Sequence, residues 1–329
     1  MKSQSAIEAP QEMTSSFPRA RSCFAALCCA ALCCAALCCA ASCGLPALAA
    51  PDVPIDPSLG ESIVEIPNSR LLPVSLETTL FRPPADGPFP VVVINHGKAT
   101  GPNRLQPRYR LLPAVREFLM RGYAVVVPMR QGFSNSGGKA VGEGCNTAGN
   151  GSAQAEDVAA VVGWIARQPW ADAQRMVMLG QSHGGLTTPA YARDPAPGFK
   201  LFVNFAGGLR LTGGDCNWQT AMVAAFGSYG GATRVPSLWF YGANDSFFPP
   251  EVIVPAHAAY VAAGGQAELI AYGPFGSDAH AMFGSRQGLP LWWPKVEARL
   301  SAAALPTDIV YPEFAAPQRA SSVASGASR

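Results

Sequence analysis

The chain has 329 residues, of which 24 are Lys or Arg and 22 are Asp or Glu, so its formal net charge is +2. This balance excludes the concentrated basic surface that nucleic acids and anionic membranes require, and we expect neither as a partner. The residues after position 50 are numerous enough for one large α/β domain with a full core, which we place at 51–311.

Residues 1–50 are predicted to be a signal peptide and not part of the fold. Basic residues precede an uncharged run at 22–50, which ends in Ala-Leu-Ala-Ala before Pro51. A basic start, an apolar middle and a small-residue end are typical of secretory signals. The alternative is a retained membrane anchor, which the Ala- and Cys-rich composition disfavours. We therefore expect a periplasmic or secreted protein with no stable membrane span after cleavage.

The distribution of cysteines along the chain also favours export. Eight of the ten lie in the leader, and Cys145 and Cys216 follow it in Gly- and Asn-rich loop sequence. Two cysteines in an exported domain predict a possible disulfide between surface loops, with two free thiols as the alternative. These cysteines and four scattered histidines lack metal-ligand spacing, so we expect no metal. No nucleotide or redox cofactor is implied either.

The first elements of the domain are predicted to be strands. Segments 62–66 and 71–81 read as strands, and the segment 90–95 is a continuous Val- and Ile-rich run. Such a run indicates burial on both faces in the middle of a parallel sheet.

Strand and helix then alternate, which predicts a parallel sheet with helices on both faces. The segments are a helix at 110–121, a strand at 123–128, a loop at 144–152, a helix at 153–168, strands at 199–205, 235–241 and 267–272, and helices at 255–263 and within 281–300.

Two segments stand outside this alternation. Residues 209–234 carry enough apolar side chains for a small cap or lid over a pocket, although a loop packed on the edge of the core is an equal alternative. The tail at 312–329 is rich in Ala, Ser and Arg and is predicted to be disordered because it has little to bury.

A short apolar run ends in Gly180-Gln181-Ser182-His183-Gly184, and a small-residue segment able to start a helix follows. This is a Gly-x-Ser-x-Gly motif in the strand-to-helix context that a nucleophile elbow needs. The glycines leave room for strand and helix to approach each other, and the turn exposes the Ser182 hydroxyl at a helix N-terminus. The pattern predicts that Ser182 is a nucleophile.

A serine nucleophile needs a base, and the base needs an acid to orient it. Of the four histidines, His280 follows the last strand in a loop that can reach the carboxyl edge of the sheet. Asp245 follows the preceding strand at that edge, and the order Ser182, Asp245, His280 is that of α/β-hydrolases. Asp278 is the alternative acid, but it lies too near His280 in sequence to orient the imidazole ring from its far side.

An acyl-transfer site also needs donors for the developing oxyanion. The backbone N–H of His183, directly after the nucleophile, is one candidate. The other is expected in the loop after the Val-rich strand, where we favour the N–H of Lys98 over that of Gly97.

With these motifs the chain resembles the α/β-hydrolase superfamily, and within it the dienelactone-hydrolase-like group, over about residues 71–300. The resemblance implies an eight-stranded, mostly parallel sheet and the triad named above. Dienelactone hydrolases proper have a cysteine nucleophile where this chain has Ser182, so lactone specificity is not carried over. The matching motifs are Asn95-His96-Gly97, the segment from Pro128 to Ser136, Gly180 to Gly185, Tyr241 to Asp245, and His280.

The sequence as a whole favours an exported serine hydrolase that cleaves a small-molecule carboxylic ester through an acyl-enzyme. A serine peptidase or amidase would use the same catalytic residues. A catalytically silent hydrolase fold that binds a ligand is the third hypothesis, because fold membership alone does not decide function.

Overall fold

The computed structural model describes residues 50–68, 71–142, 144–211, 214–231 and 234–315. The predicted signal peptide therefore lies outside the described residues, apart from its last position. Within the part of the chain that is described, no helix combines the length and the apolar character needed to cross a bilayer.

Eight strands form a single sheet in the order β1-β2-β4-β3-β5-β6-β7-β8. Strand β2 runs antiparallel to both of its neighbours, and all other pairs are parallel. The predicted α/β fold with a mostly parallel, eight-stranded sheet is thus confirmed. The strands are β1 Glu61–Pro67, β2 Ser75–Phe81, β3 Phe89–Asn95, β4 Ala124–Pro128, β5 Ala171–Gln181, β6 Phe199–Phe205, β7 Ser237–Tyr241 and β8 Ala267–Ala271.

Helices cover both faces of the sheet. In β3, Val91 and Val93 belong to one buried cluster, whereas Val92 and Ile94 belong to the other. This is the arrangement that the continuous Val and Ile run predicted, because a central strand must bury both of its faces. Helices α1 Leu112–Met120 and α6 Leu289–Ala302 pack on one face, and α2 Thr147–Ile165, α3 His183–Ala192, α4 Trp218–Tyr229 and α5 Pro250–Ala262 pack on the other.

Three predicted starts of elements are wrong, and one of them is α5, which was predicted at 255–263 but begins at Pro250. Strand β2 begins at Ser75 and not at residue 71, because Leu71 is 98% exposed in a hairpin loop that Asn68 closes with hydrogen bonds to Val74. Helix α2 begins at Thr147, within the segment predicted as a loop. Glycines are typical of loops, which is why this segment was predicted to be one. Gly151 is instead needed inside the helix, because a Cβ there would overlap the hydroxyl of a tyrosine on α4.

The segment expected to form a cap instead contains α4, an ordinary crossover helix between β6 and β7. The helix fully buries Met222, Phe226 and Tyr229 on the face of the sheet that α2 and α3 also cover. Phe226 packs on Trp239 of β7 with ring centres 4.8 Å apart. These apolar side chains therefore complete the helical layer and do not close a lid over a pocket.

The prediction of a disordered tail is wrong for its first residues, 312–315, whereas 316–329 lie outside the described residues. Pro312–Phe314 forms a short 3₁₀ helix, and Phe314 is buried in the cluster that contains α1 and α6. The carbonyl of Phe314 accepts a hydrogen bond of 2.9 Å from Arg116. Residues 312–315 thus belong to the domain, because Phe314 anchors them in the apolar core.

A disulfide joins Cys145 and Cys216 across 71 positions of sequence. Cys145 lies just before α2, and Cys216 lies just before α4. The bond therefore ties the beginnings of two neighbouring helices together on one side of the sheet.

Candidate active site

Ser182 occupies a strained turn between β5 and α3, with φ of 55° and ψ of −121°. The motif glycines make this turn possible, because a Cβ at Gly180 would overlap a carbonyl of α3 and a Cβ at Gly184 would overlap the Asn95 carbonyl. The Ser182 N–H donates to the Phe205 carbonyl at 3.0 Å, which ties the turn to β6. A backbone strained in this way persists only where the surroundings determine it, as they do here.

The His280 ring is paired with Asp245. Its Nδ1 lies 3.2 Å from Oδ1 and 3.1 Å from Oδ2 of the carboxylate. Asp245 is buried and also accepts the N–H groups of Phe247 and Phe248, at 2.9 and 3.0 Å. With Nδ1–H donating to this fixed carboxylate, Nε2 of His280 is left as a proton acceptor.

Asp278, the alternative acid, holds the backbone of the loop that carries His280. Its carboxylate accepts the N–H of His280 at 2.9 Å and the hydroxyl of Ser246 at 2.6 Å. It thus joins the loop after β8 to the loop after β7, while the ring itself pairs with Asp245.

The carboxyl ends of three strands bring these side chains to one edge of the sheet. Ser182 follows β5, Asp245 follows β7 and His280 follows β8. Ser182 and His280 line the same cavity. A hydroxyl, an imidazole and a carboxylate so placed can carry out nucleophilic catalysis with proton transfer.

The two candidate oxyanion donors come from different elements, α3 and the loop after β3. His183 is the first residue of α3, so its N–H has no partner within the helix. Lys98 follows β3 through Gly97, and a Cβ at Gly97 would stand only 3.3 Å from the Cβ of Ser182. The loop after β3 therefore passes directly beside the hydroxyl.

The His96 ring fixes the shape of that loop. The backbone N–H of Arg130 donates to its Nε2 at 3.0 Å, so the proton is on Nδ1, which donates to the Gly97 carbonyl at 2.6 Å. That carbonyl belongs to the same peptide group as the N–H of Lys98. His96 thus orients the peptide group that carries a candidate oxyanion donor.

His96 and His183 are both neutral and buried beside the cationic Arg130. Burial, and then the nearby guanidinium, lower the pKa of each ring well below its ordinary value. The His183 ring lies 2.7 Å from the amide nitrogen of Gln154 and 2.9 Å from the Asn150 oxygen. Two buried, uncharged imidazoles, those of His96 and His183, therefore support the structure next to the candidate nucleophile.

The free energy of unfolding should therefore fall as pH drops below about 6.5, the ordinary pKa of histidine in an unfolded chain. Below that pH the histidines of the unfolded chain bind protons, whereas the buried rings stay neutral. The free energy of unfolding therefore falls by about 1 kcal/mol per pH unit for each histidine. Above that pH the contribution is complete. Urea unfolding at about pH 7.5 and about pH 5.5 measures the difference.

His96→Gln is the matched variant, because a glutamine oxygen can accept the Arg130 N–H without titrating. It should show about half of the pH dependence that the two histidines cause together. An identical pH dependence in parent and variant would contradict the assignment.

Two cavities meet at Ser182. The larger, of about 350 Å³, is lined by Lys98, His183, Leu209, Arg210, Phe247 and Phe248 beside Ser182. The smaller, of about 240 Å³, includes His280 and is lined by Pro107, Tyr109 and Met129. The sequence analysis identified Lys98, His183 and His280 but not the other lining residues individually, although the position of Leu209 and Arg210 after the carboxyl end of β6 could have suggested these two.

Within the described residues, no three His, Cys, Asp or Glu side chains form a group that could hold a metal ion.

Part of the sequence matches a known protein family. The family model of X-Pro dipeptidyl-peptidase (S15 family) matches residues 73–247, which include Ser182 and Asp245. No curated protein gives a significant match to the sequence.

Solved structures resemble most of the described domain. A dienelactone hydrolase candidate from Klebsiella pneumoniae shares 21% identity with a TM-score of 0.51, over 73% of this chain and 98% of its own. The Est2 esterase of Thermogutta terrifontis, in its propionate-bound form, shares 16% with a TM-score of 0.56, over 77% and 98%. Dipeptidyl peptidase 4 of Porphyromonas gingivalis shares 17% with a TM-score of 0.54, over 73% of this chain but 35% of its own. These likenesses confirm the α/β-hydrolase fold.

Proposed function

The chain belongs to the X-Pro dipeptidyl-peptidase (S15) family, a family of α/β-hydrolases, and from this premise we propose that it is a serine hydrolase that cleaves carboxylic esters. The observation that carries the proposal is the strained Ser182 at the same sheet edge as the paired His280 and Asp245. In this proposal the three residues form a catalytic triad.

The proposed reaction has two halves. The Ser182 oxygen attacks the ester carbon while Nε2 of His280 takes the hydroxyl proton, and the N–H groups of His183 and Lys98 bind the oxyanion. The carbon–oxygen bond to the alcohol then breaks, and the alcohol leaves with the proton from His280. A water molecule repeats the sequence on the acyl-enzyme, which releases the acid and restores Ser182. Throughout, Asp245 keeps the ring oriented and stabilises its cationic form.

The family name favours a second candidate, a peptidase that removes dipeptides from a free amino terminus. Such a substrate presents an ammonium group, which a site binds best with a carboxylate. Among the described residues, the charged side chains that line the larger cavity are the cations Lys98 and Arg210. This charge favours an ester over an amino-terminal dipeptide.

We also propose that the protein is exported and acts on a small-molecule ester in the periplasm or outside the cell. The disulfide between Cys145 and Cys216 supports this location, because disulfides persist mainly in oxidising compartments. The basic, apolar and small-residue pattern of residues 1–50 is the second support.

Labelling with a fluorophosphonate probe tests the proposed nucleophile. We expect the probe to modify Ser182, with the label located by peptide mapping. An ester and an amide of the same acyl group, compared side by side, should then show faster hydrolysis of the ester. A folded protein that takes up no label would instead support the silent, ligand-binding alternative, and faster cleavage of the amide would support the peptidase.

A further inference from the structure

The larger cavity beside Ser182 combines an apolar wall with two cations. Leu209, Phe247 and Phe248 supply the apolar surface, and Lys98 and Arg210 supply the charge. His183, the other titratable lining residue besides these cations, is kept neutral because burial lowers its pKa. The ionised side chains that line this cavity are therefore both cations, which favours an anionic ligand.

The guanidinium of Arg210 is held in place on the rim of this cavity. It donates to the Ser246 carbonyl at 3.0 Å, and its Cζ lies 5.6 Å from the centre of the Trp218 ring. Neither contact neutralises the charge, and no carboxylate of the described residues forms an ion pair with Arg210. A pre-oriented guanidinium binds a carboxylate well, because its fork of N–H donors matches the two oxygens.

Lys98 contributes a second charge, at a position where it lines both cavities. Its side chain is partly buried, and burial lowers the pKa of its ammonium group. A partly desolvated cation gains more from an anionic ligand than one in bulk water does, because the effective dielectric constant is lower.

The direction of proton transfer assigns the two halves of the substrate to the two cavities. In the proposed mechanism His280 must protonate the departing alcohol, so the alcohol has to leave on the side of His280. His280 lines the smaller cavity, which shares Lys98 with the larger one but lacks Arg210 and is otherwise mostly apolar. The acyl group then extends from Ser182 into the larger, cationic cavity.

We propose that the acyl half of the substrate ends in a carboxylate, so that the protein hydrolyses monoesters of dicarboxylic acids with small apolar alcohols. The inference rests on the proposed ester hydrolysis and adds the class of substrate. The carboxylate is bound by Arg210 and Lys98, and the intervening methylene groups pack on Phe247 and Phe248.

A matched pair of esters tests this proposal with protein purified after expression of the full chain. Ethyl hydrogen glutarate carries the carboxylate, and ethyl 4-carbamoylbutanoate replaces it with a neutral amide of the same size. We expect kcat/KM to be about tenfold higher for the anionic ester, the effect of a charge-assisted hydrogen bond at a partly exposed site. Added salt should reduce the ratio, because ions screen the exposed charges.

Arg210→Gln should bring this ratio close to one, whereas Arg210→Lys, which keeps the charge, should retain most of it. Arg82→Gln is the control, since Arg82 also lies over a tryptophan, 5.5 Å from the Trp170 ring centre. That arginine lines neither cavity at Ser182. The control should leave the ratio as it is in the parent.

A tenfold ratio that Arg210→Gln removes and Arg82→Gln preserves supports the proposal. A ratio near one in the parent, or one that Arg210→Gln leaves unchanged, overturns the proposal while ester hydrolysis itself stands. Hydrolysis of neither ester by the parent overturns the proposed function and this inference with it.

Discussion

Ser182→Ala is expected to lower kcat for ester hydrolysis by about 10⁴-fold or more, because it removes the atom that attacks the ester carbon. The residual rate would come from the oxyanion donors and from substrate binding. Alanine carries the same Cβ as serine at φ of 55°, so the variant should fold like the parent. Initial rates with a short-chain ester, together with a thermal unfolding curve for each protein, measure both expectations.

Ser134→Ala is the matched control for this variant. Ser134 also has a positive φ, of 48°, and it lies in the loop after β4, where its hydroxyl is buried. Losing that hydroxyl should leave the rate near that of the parent. Ester hydrolysis that persists at the parental rate in Ser182→Ala would overturn the proposed nucleophile.

Asp245→Asn is expected to lower kcat by about 10⁴-fold. Oδ1 of Asp245 accepts the N–H groups of Phe247 and Phe248, which would keep the amide oxygen of an asparagine on that side. The amide NH₂ would then face Nδ1 of His280 and select the tautomer with the proton on Nε2. In that tautomer the ring cannot take the serine proton.

Asp278→Asn separates this effect from a general disturbance of the His280 loop. An asparagine oxygen can still accept the His280 N–H that Asp278 accepts at 2.9 Å, so we expect a loss of less than about tenfold. The two variants differ only in which carboxylate becomes an amide. Equal losses, measured as kcat under the same conditions, would contradict the assignment of Asp245 as the orienting acid.

The sequence carried most of the information about the sheet and the site because both depend on local patterns. Continuous Val and Ile in β3 can be buried only between two helical layers, and Gly180 and Gly184 allow a turn that other residues would block. Ser182, Asp245 and His280 were expected to lie close together because each follows a strand, and parallel strands end at one edge of the sheet. The catalytic roles of these residues, the oxyanion donors and the signal peptide remain proposals.

The sequence reading was wrong or undecided where the outcome depends on tertiary packing. An apolar helix that covers a pocket and one that completes a layer have the same composition, so the sequence left a cap and a segment packed on the core as equal alternatives for the residues that form α4. Gly149 and Gly151 argue for a loop by propensity, but α2 needs Gly151 where Tyr229 approaches closely. The position of Arg210 in the larger cavity follows from the path of a loop, which no periodic pattern encodes.

The disulfide between Cys145 and Cys216 has a consequence for how the chain matures. Cys145 and Cys216 are the only cysteines after residue 50, so a polypeptide released from its first 50 residues has one possible pairing. Its oxidation needs an electron acceptor but no reshuffling of wrong bonds. A chain that keeps those residues offers eight more thiols that can attack the bond by exchange. Removal of the cysteine-rich segment before oxidation would therefore favour a homogeneous product.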